Sequence, residues 1–296
     1  MPSTRVQGGP TTTRAQLLAV ALGAALGPGL LQAQEAPRSH LYDKFQVSAS
    51  GTLLVLGAKV RVDPDSGEGT EIDIEDNLGI GSTTLQPRLA LRWRPGRRHE
   101  IEGGYQWAKR SGETVLQDTI VFRDTTYAAG LRVNTTSGTS QMFLTYRYAF
   151  KAKERTQIGA GLGLGIIYLR NDISAIAGAT TGGADTAIVE YSREGGFNGP
   201  SGSLGFYGRW QLGDQWYLES DLRGIYAKID NIKAKVVELG AAGRYFLSDK
   251  IGLELGYNLG FYGVDITGTK NFAGIERTGK ISYTVNGWRV GGVYAF

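Results

Sequence analysis

The chain has 296 residues, 20% of them charged, with 32 Lys and Arg against 28 Asp and Glu, and it contains no cysteine. Disulfide stapling and thiol nucleophiles are therefore excluded, and so near a charge balance supplies no basic patch for nucleic acid. Beyond the N-terminus no run approaches the roughly 20 apolar residues that a membrane-spanning helix needs, which excludes a helical membrane protein but not a barrel, where only alternate residues meet lipid.

The first predicted element is a secretion signal over residues 1–33. Arg5 and Arg14 supply positive charge, no acid precedes Glu35, and Ala15 to Leu31 is apolar and small. Leu31-Gln32-Ala33 offers a cleavage site, although Leu stands where a small residue is usual. An uncleaved anchor is the alternative; Gly27-Pro28-Gly29 and the short apolar core argue against it. Cleavage removes two arginines and no acid, leaving 30 basic residues against 28. Residues 34–44, with Pro37 and several charges, read as a lead-in to the first strand.

From about Phe45 the pattern has period two, the signature of strands. In Ile251 to Phe261 every odd position is apolar or aromatic and every even one is Gly, Glu or Asn. Leu85 to Arg94 repeats the scheme with Arg88, Arg92 and Arg94 on one face, and Trp216 to Arg223 gathers Glu219, Asp221 and Arg223. Ten strands are predicted, at about 46–62, 82–94, 100–111, 131–150, 154–172, 200–212, 216–229, 232–247, 251–266 and 281–296. Eight and twelve stay open, because Thr114 to Phe122 can extend a strand or belong to a loop. Short connections at Pro95-Gly-Arg-Arg98, Lys151-Ala-Lys153, Gly213-Asp-Gln215 and Ser248-Asp-Lys250 alternate with long ones near 63–81, 112–130, 173–199 and 267–280. Asp230-Asn231 is a short connection where a long one is due.

Turn length sets register, and register decides which side chains meet. Three-residue turns at 213–215 and 248–250 oppose Arg209 to Glu219 and Arg244 to Glu254. A turn over Pro95 to His99 opposes Arg94 to Glu100 and Arg92 to Glu102. A two-residue turn at Asp230-Asn231 opposes Arg223 to Glu238. A turn at Lys151 to Lys153 sets Arg147 against Gln157. Parity did not require opposite charges, yet five such pairs result, all on the face away from the large apolar residues. Gly159, Gly161, Gly163 and Gly165 share that face and leave room either for long arginines or for a solute.

The last strand alternates Trp288, Val290, Tyr294 and Phe296 with Arg289, Gly291, Val293 and Ala295, and ends on the aromatic. Chains ending this way resemble Gram-negative outer-membrane β-barrels. The resemblance implies that Trp288, Tyr294 and Phe296 form an insertion signal read by the barrel assembly machinery, with periplasmic chaperones as further partners. Gly69 to Gly79, followed by Pro87-Arg88 and Arg92-Trp-Arg-Pro-Gly-Arg-Arg98, resembles a pattern met in uncharacterised outer-membrane β-barrel proteins. The expected fold is all-β, a transmembrane antiparallel up-and-down barrel over residues 45–296, preceded by a periplasmic lead-in at 34–44. Its setting is the outer membrane of a Gram-negative bacterium, in contact with lipid and lipopolysaccharide. Trp93, Trp210 and Trp216 lie beside short turns or strand ends, where an aromatic girdle marks the membrane boundary.

Candidates for chemistry are few. Of the two histidines, His40 precedes the first strand and His99 lies at an inner turn. Barrel hydrolases such as the omptin proteases, the outer-membrane phospholipase and the lipid A deacylase use a His at the outer rim or facing lipid. The acids of the first long connection, Asp63, Asp65, Glu68, Glu71, Asp73, Glu75 and Asp76, include Asp63-Pro-Asp-Ser-Gly67, part of an EF-hand spacing. The rest of that spacing is missing, so solvated acids are expected and no metal site. Gly161-Leu-Gly163 lies inside a strand with no following helix, so no phosphate loop or other cofactor site is expected. The expected function is non-enzymatic, structural or surface-interacting, with a lumen largely plugged by Arg–carboxylate pairs. The alternative is a narrow channel or transporter for a small hydrophobic or ionic solute.

Overall fold

Successive side chains on a strand point to opposite faces. A chain that alternates Leu, Trp or Tyr with Gly, Glu or Arg therefore makes sheets with one apolar and one polar face. Closing such a sheet on itself, polar face inward, leaves no edge unpaired.

A computed structural model describes residues 39–63, 69–122, 125–179, 187–268 and 278–296. The predicted signal, the first part of the lead-in, and Asp65 and Glu68 lie outside the described residues. A 3-10 turn, His40–Tyr42, precedes β1 (Phe45–Val62). Then come β2 (Ile72–Asp73), α1 (Ile74–Leu78), β3 (Thr83–Gly96) and β4 (His99–Val115). β5 (Ile120–Phe122) and β6 (Thr125–Tyr127) pair only with each other. The remaining strands are β7 (Arg132–Lys153), β8 (Thr156–Ala179), β9 (Ala187–Gln211), β10 (Trp216–Ile229), β11 (Ile232–Phe246), β12 (Ile251–Ile266) and β13 (Gly279–Ala295).

β1 pairs with β3 on one side and β13 on the other, closing the ring β1-β3-β4-β7-β8-β9-β10-β11-β12-β13. Every pairing is antiparallel, and ten strands make the barrel. The count is ten because β4 stops at Val115 and β5 and β6 fold as a hairpin of their own. β8 and β9 have 24 and 25 residues and stay paired out to Ala179↔Ala187, so most of the predicted connection 173–199 is strand. About 9–11 residues suffice to cross a bilayer, so this hairpin runs well past it.

The outward face is apolar on all ten strands. Leu53, Leu85, Leu164, Phe206, Val237 and Val290 are typical, each about half or more exposed. A water-soluble protein rarely exposes contiguous apolar patches beyond a few hundred Å². A belt around the whole circumference is the surface of a barrel solvated by lipid.

Three predicted turns set the registers expected of them: Arg209↔Glu219, Arg223↔Glu238 and Arg244↔Glu254. Arg92↔Glu102 also forms, but the turn predicted over Pro95 to His99 tightens to Arg97-Arg98: Gly96 pairs with His99, and an irregularity between Trp93 and Gly96 takes Arg94 and Glu100 out of the ladder register. The tight turn at Asp230-Asn231 requires a left-handed residue at its first position, and Asp230 supplies it at φ 55°. The turn predicted at Lys151–Lys153 is different. β7 continues to Lys153 and the chain reverses at Glu154-Arg155, with a bulge between Ala149 and Lys151. The bulge inserts an extra residue, so Arg147 faces Gly161, and Gln157 faces Ala152 on one side and Arg209 on the other.

Candidate functional site

The inward face of the barrel carries a connected set of ion pairs. Arg92 binds Glu102 at 2.8 Å, and Arg94 binds Glu100 at 2.5 Å. Arg209 reaches Glu219 at 3.2 Å, and Arg244 reaches Glu254 at 2.6 Å. These join through contacts between strands that are not neighbours. Arg92 of β3 is 3.1 Å from Glu219 of β10, and Arg209 of β9 is 2.5 Å from Glu100 of β4. Arg147 adds bonds to Glu100 and Glu102 at 2.8 and 2.9 Å. Arg88 binds Glu102 at 2.6 Å, Arg289 binds Glu254 at 2.7 Å, and Arg244 also binds Glu219 at 3.2 Å. Arg223 and Glu238, 3.1 Å apart, stand beside this set with Asp221, and the Tyr262 hydroxyl donates to Glu238 at 2.6 Å.

Glu100 is 0% exposed and Arg209 3%. A buried ion without partners costs several kcal/mol. Here each of Glu100, Glu102, Glu219 and Glu254 touches at least two guanidiniums, whose forked donors suit carboxylates. The glycines of β8 make room for this. A Cβ on Gly159 would lie 2.6 Å from the Tyr207 ring, and one on Gly161 3.2 Å from Arg147 Cγ. The Tyr207 ring in turn lies under Arg209, with 5.0 Å from guanidinium carbon to ring centroid.

The end of the barrel that carries the short turns is covered by the lead-in. The His40 ring stacks on Phe246 at 3.6 Å and meets Tyr217 edge-on at 5.8 Å. Its Nδ1 lies 2.8 Å from Asp43, and its backbone N–H donates to the Tyr217 hydroxyl at 3.1 Å. Leu41 packs with Tyr217, Phe246, Val293 and Ala295, all inward-facing. Arg94 donates to the Asp43 carbonyl at 3.1 Å, tying this cap to the ionic layer above it.

At the opposite end the first long connection folds into the mouth. Asp73 caps α1 by accepting from the Asp76 N–H at 3.1 Å, and Gly79 ends it at φ 64°. Ile72, Ile74, Leu78 and Ile80 pack on Ala58, Val133 and Tyr283 of the inner wall. Glu75 accepts from the Ala58 N–H at 2.8 Å and pairs with Arg110. Asp63 binds Arg61 at 2.9 Å and accepts from the Thr278 hydroxyl at 3.0 Å. The acids expected to be solvated are thus divided: Glu71 and Asp76 are exposed, while Asp63, Asp73 and Glu75 serve local structure. No group of three or more potential metal ligands occurs among the described residues.

Between the ionic layer and this mouth lies a cavity of about 560 Å³. Its floor includes Arg88, Arg92, Arg147 and Arg289, and its wall includes Leu54, Ile225, Val236, Val264, Ile281 and Val285.

Trp93 and Trp216 point outward at the turn end, Trp93 stacked on Phe45 and Trp216 tilted against Tyr245. Trp210 is half-buried because its ring lies over Gly208, where a Cβ would sit 2.2 Å from it. Trp288 is 59% exposed beside Tyr257, and Tyr294 and Phe296 meet edge to face at 4.8 Å. The Phe296 N–H donates to the Phe45 carbonyl at 3.0 Å, joining the two ends of the barrel domain. His99 is exposed at its turn, 2.7 Å from the Tyr146 hydroxyl.

Sequence reasoning missed Arg88, Arg147 and Arg289 as members of the ionic set, and His40 as the center of the cap. Their inward parity was available; their partners across the lumen were not.

A closed antiparallel ring with a lipid-facing exterior and a charged interior decides the class. The chain is a closed ten-stranded β-barrel of the outer-membrane type. No protein-family model matches it, and no curated protein does. It is similar in architecture to the outer membrane protease OmpT from Escherichia coli, at 11% identity and TM-score 0.49, covering 86% of this chain and 97% of that one. The Pseudomonas putida toluene transporter TodX is 11% identical at TM-score 0.35, covering 86% of this barrel protein and 90% of that chain. The attachment invasion locus protein Ail of Yersinia pestis is 11% identical at TM-score 0.31, with 86% and 99% covered. At these values the likeness is one of strand architecture alone.

Proposed function

We propose that this barrel is non-enzymatic and acts from its outer side, in a structural or surface-interaction role, with its lumen closed to through-passage. The observation that carries this reading is the bond between Arg92 and Glu219, which spans the lumen from opposite strands. Arg209 and Glu100 make a second cross-lumen bond, and the His40 cap lies beneath both. The inward carboxylates of this layer are engaged as counter-ions, which suits support better than proton transfer. His40 is enclosed in the cap, and His99 sits at a turn far along the strand from the opposite rim.

On this reading residues 1–33 direct export, periplasmic chaperones and the barrel assembly machinery receive the C-terminal strand, and lipid and lipopolysaccharide surround the belt. The β8–β9 hairpin presents the outer surface. A narrow channel is the second reading, favoured by the cavity above the ionic layer. Planar-bilayer recording with pure protein separates the two. The closed barrel gives no steady conductance; reproducible, salt-dependent steps would overturn it.

A further inference from the structure

Two features of the cavity go unused by a purely structural barrel. The first is charge. Six arginines (88, 92, 147, 223, 244 and 289) line the cavity against four acids (Glu102, Glu219, Asp221 and Glu238), a surplus of two positive charges. The surplus has a location. Arg88 on β3 and Arg289 on β13 flank β1, with Ser50 and Thr52 at the matching positions between them. Both arginines line the cavity, one strand to either side of β1.

The second feature is the wall. Barrel interiors are ordinarily polar, and Gln86, Gln106, Thr139 and Gln141 keep the side of β3, β4 and β7 so, yet the side formed by β1 and β10 to β13 is largely apolar. Leu54, Val285 and Ile281 continue upward from the arginine pair, and Val264, Val236 and Ile225 extend the surface across β12, β11 and β10. A volume of about 560 Å³ lies within the ordinary range of small-molecule sites. Cationic floor and apolar wall together describe a molecule with one anionic end and one greasy end.

We infer that the cavity binds an amphiphilic organic anion, a long-chain monocarboxylate, with its carboxylate between Arg88 and Arg289 and its tail along the wall of β10 to β13. The carboxylate accepts charge-assisted hydrogen bonds from the two guanidiniums, and the tail covers surface that would otherwise face water. This deepens the outer-side reading and rests on it: ligand enters and leaves by the mouth beside α1, and nothing passes the ionic layer.

The test is equilibrium binding of radiolabelled dodecanoate to the full barrel in phosphatidylcholine nanodiscs, with empty discs as background. Saturable single-site binding is expected, displaced by dodecanoate about ten-fold better than by dodecanol, and not by dodecyltrimethylammonium or acetate. Arg88→Gln should weaken dodecanoate about ten-fold and leave dodecanol competition unchanged. It is the suitable arginine because Glu102 keeps Arg92 and Arg147. The double change Ile225→Asn/Val285→Asn should weaken both competitors. Heat-modifiable migration on gels verifies that each variant is a folded barrel. Absence of saturable binding, equal displacement by the cationic amphiphile, or an unaltered affinity in Arg88→Gln would overturn the proposal. Loss of the site when phosphatidylglycerol is added to the discs would assign it to bilayer lipid and overturn the free carboxylate. Conductance with intact dodecanoate binding would instead defeat only the closed-lumen reading.

Discussion

The Arg92 guanidinium lies 3.1 Å from the Glu219 carboxylate, although five strand-to-strand steps separate β3 from β10 in either direction around the ring. A contact of this kind ties opposite walls together. It does what neighbouring-strand pairs cannot, since those only reinforce hydrogen-bonded ladders that exist without them.

Glu219 contacts Arg92, Arg209 and Arg244. Glu219→Gln should therefore cost about 3 kcal/mol by leaving buried guanidiniums under-compensated. Arg209→Met should cost less, because Glu100 keeps Arg92, Arg94 and Arg147. The double variant should recover part of the loss. Urea unfolding in vesicles measures all three; strictly additive losses would remove the argument for direct pairing.

His40→Ala should lower stability by about 2 kcal/mol, from a lost aromatic stack and a buried Asp43 deprived of a partner. Conductance should stay absent, since the ionic layer lies above the cap. Bilayer recording and thermal gel shifts on the same preparation check both parts.

Gly79→Ala should free α1 from the mouth without unfolding the barrel. The residue has φ 64°, and a Cβ there would lie 2.8 Å from Thr114 Cβ, so the strain is about 1–3 kcal/mol. Limited proteolysis should cut the connection between β1 and β3 faster and leave the strands intact. An unchanged cleavage rate would contradict the docked geometry.

Leu164→Arg tests the belt. Leu164 is 59% exposed at the outward face of β8, and a charge there should cost about 2–4 kcal/mol near the bilayer midplane. Gln106→Arg, on the inward face of β4, should cost far less. Equal costs would mean that the exterior does not meet lipid.

Deleting Phe296 should reduce the amount of barrel in the outer-membrane fraction, because the terminal aromatic and its bond to the Phe45 carbonyl are lost together. Normal levels in the membrane fraction would argue against an insertion signal in the last strand.

Strand membership, the lipid face and the neighbouring pairs were legible in the sequence. Period-two alternation assigns each side chain a face, and a tight turn of known length leaves one register that keeps the apolar faces together. That is why Arg223 opposite Glu238 and Arg244 opposite Glu254 could be read from spacing. Arg147 opposite Gln157 could not, because a bulge between Ala149 and Lys151 adds a residue without leaving a mark in the alternation. The cross-lumen bonds, the stacking of His40 on Phe246 and the docking of α1 inside the mouth belong to the tertiary structure alone. They depend on which strands face each other once the ring closes, and closure is set by strand number and stagger around the whole circumference, quantities that no local pattern of residues contains.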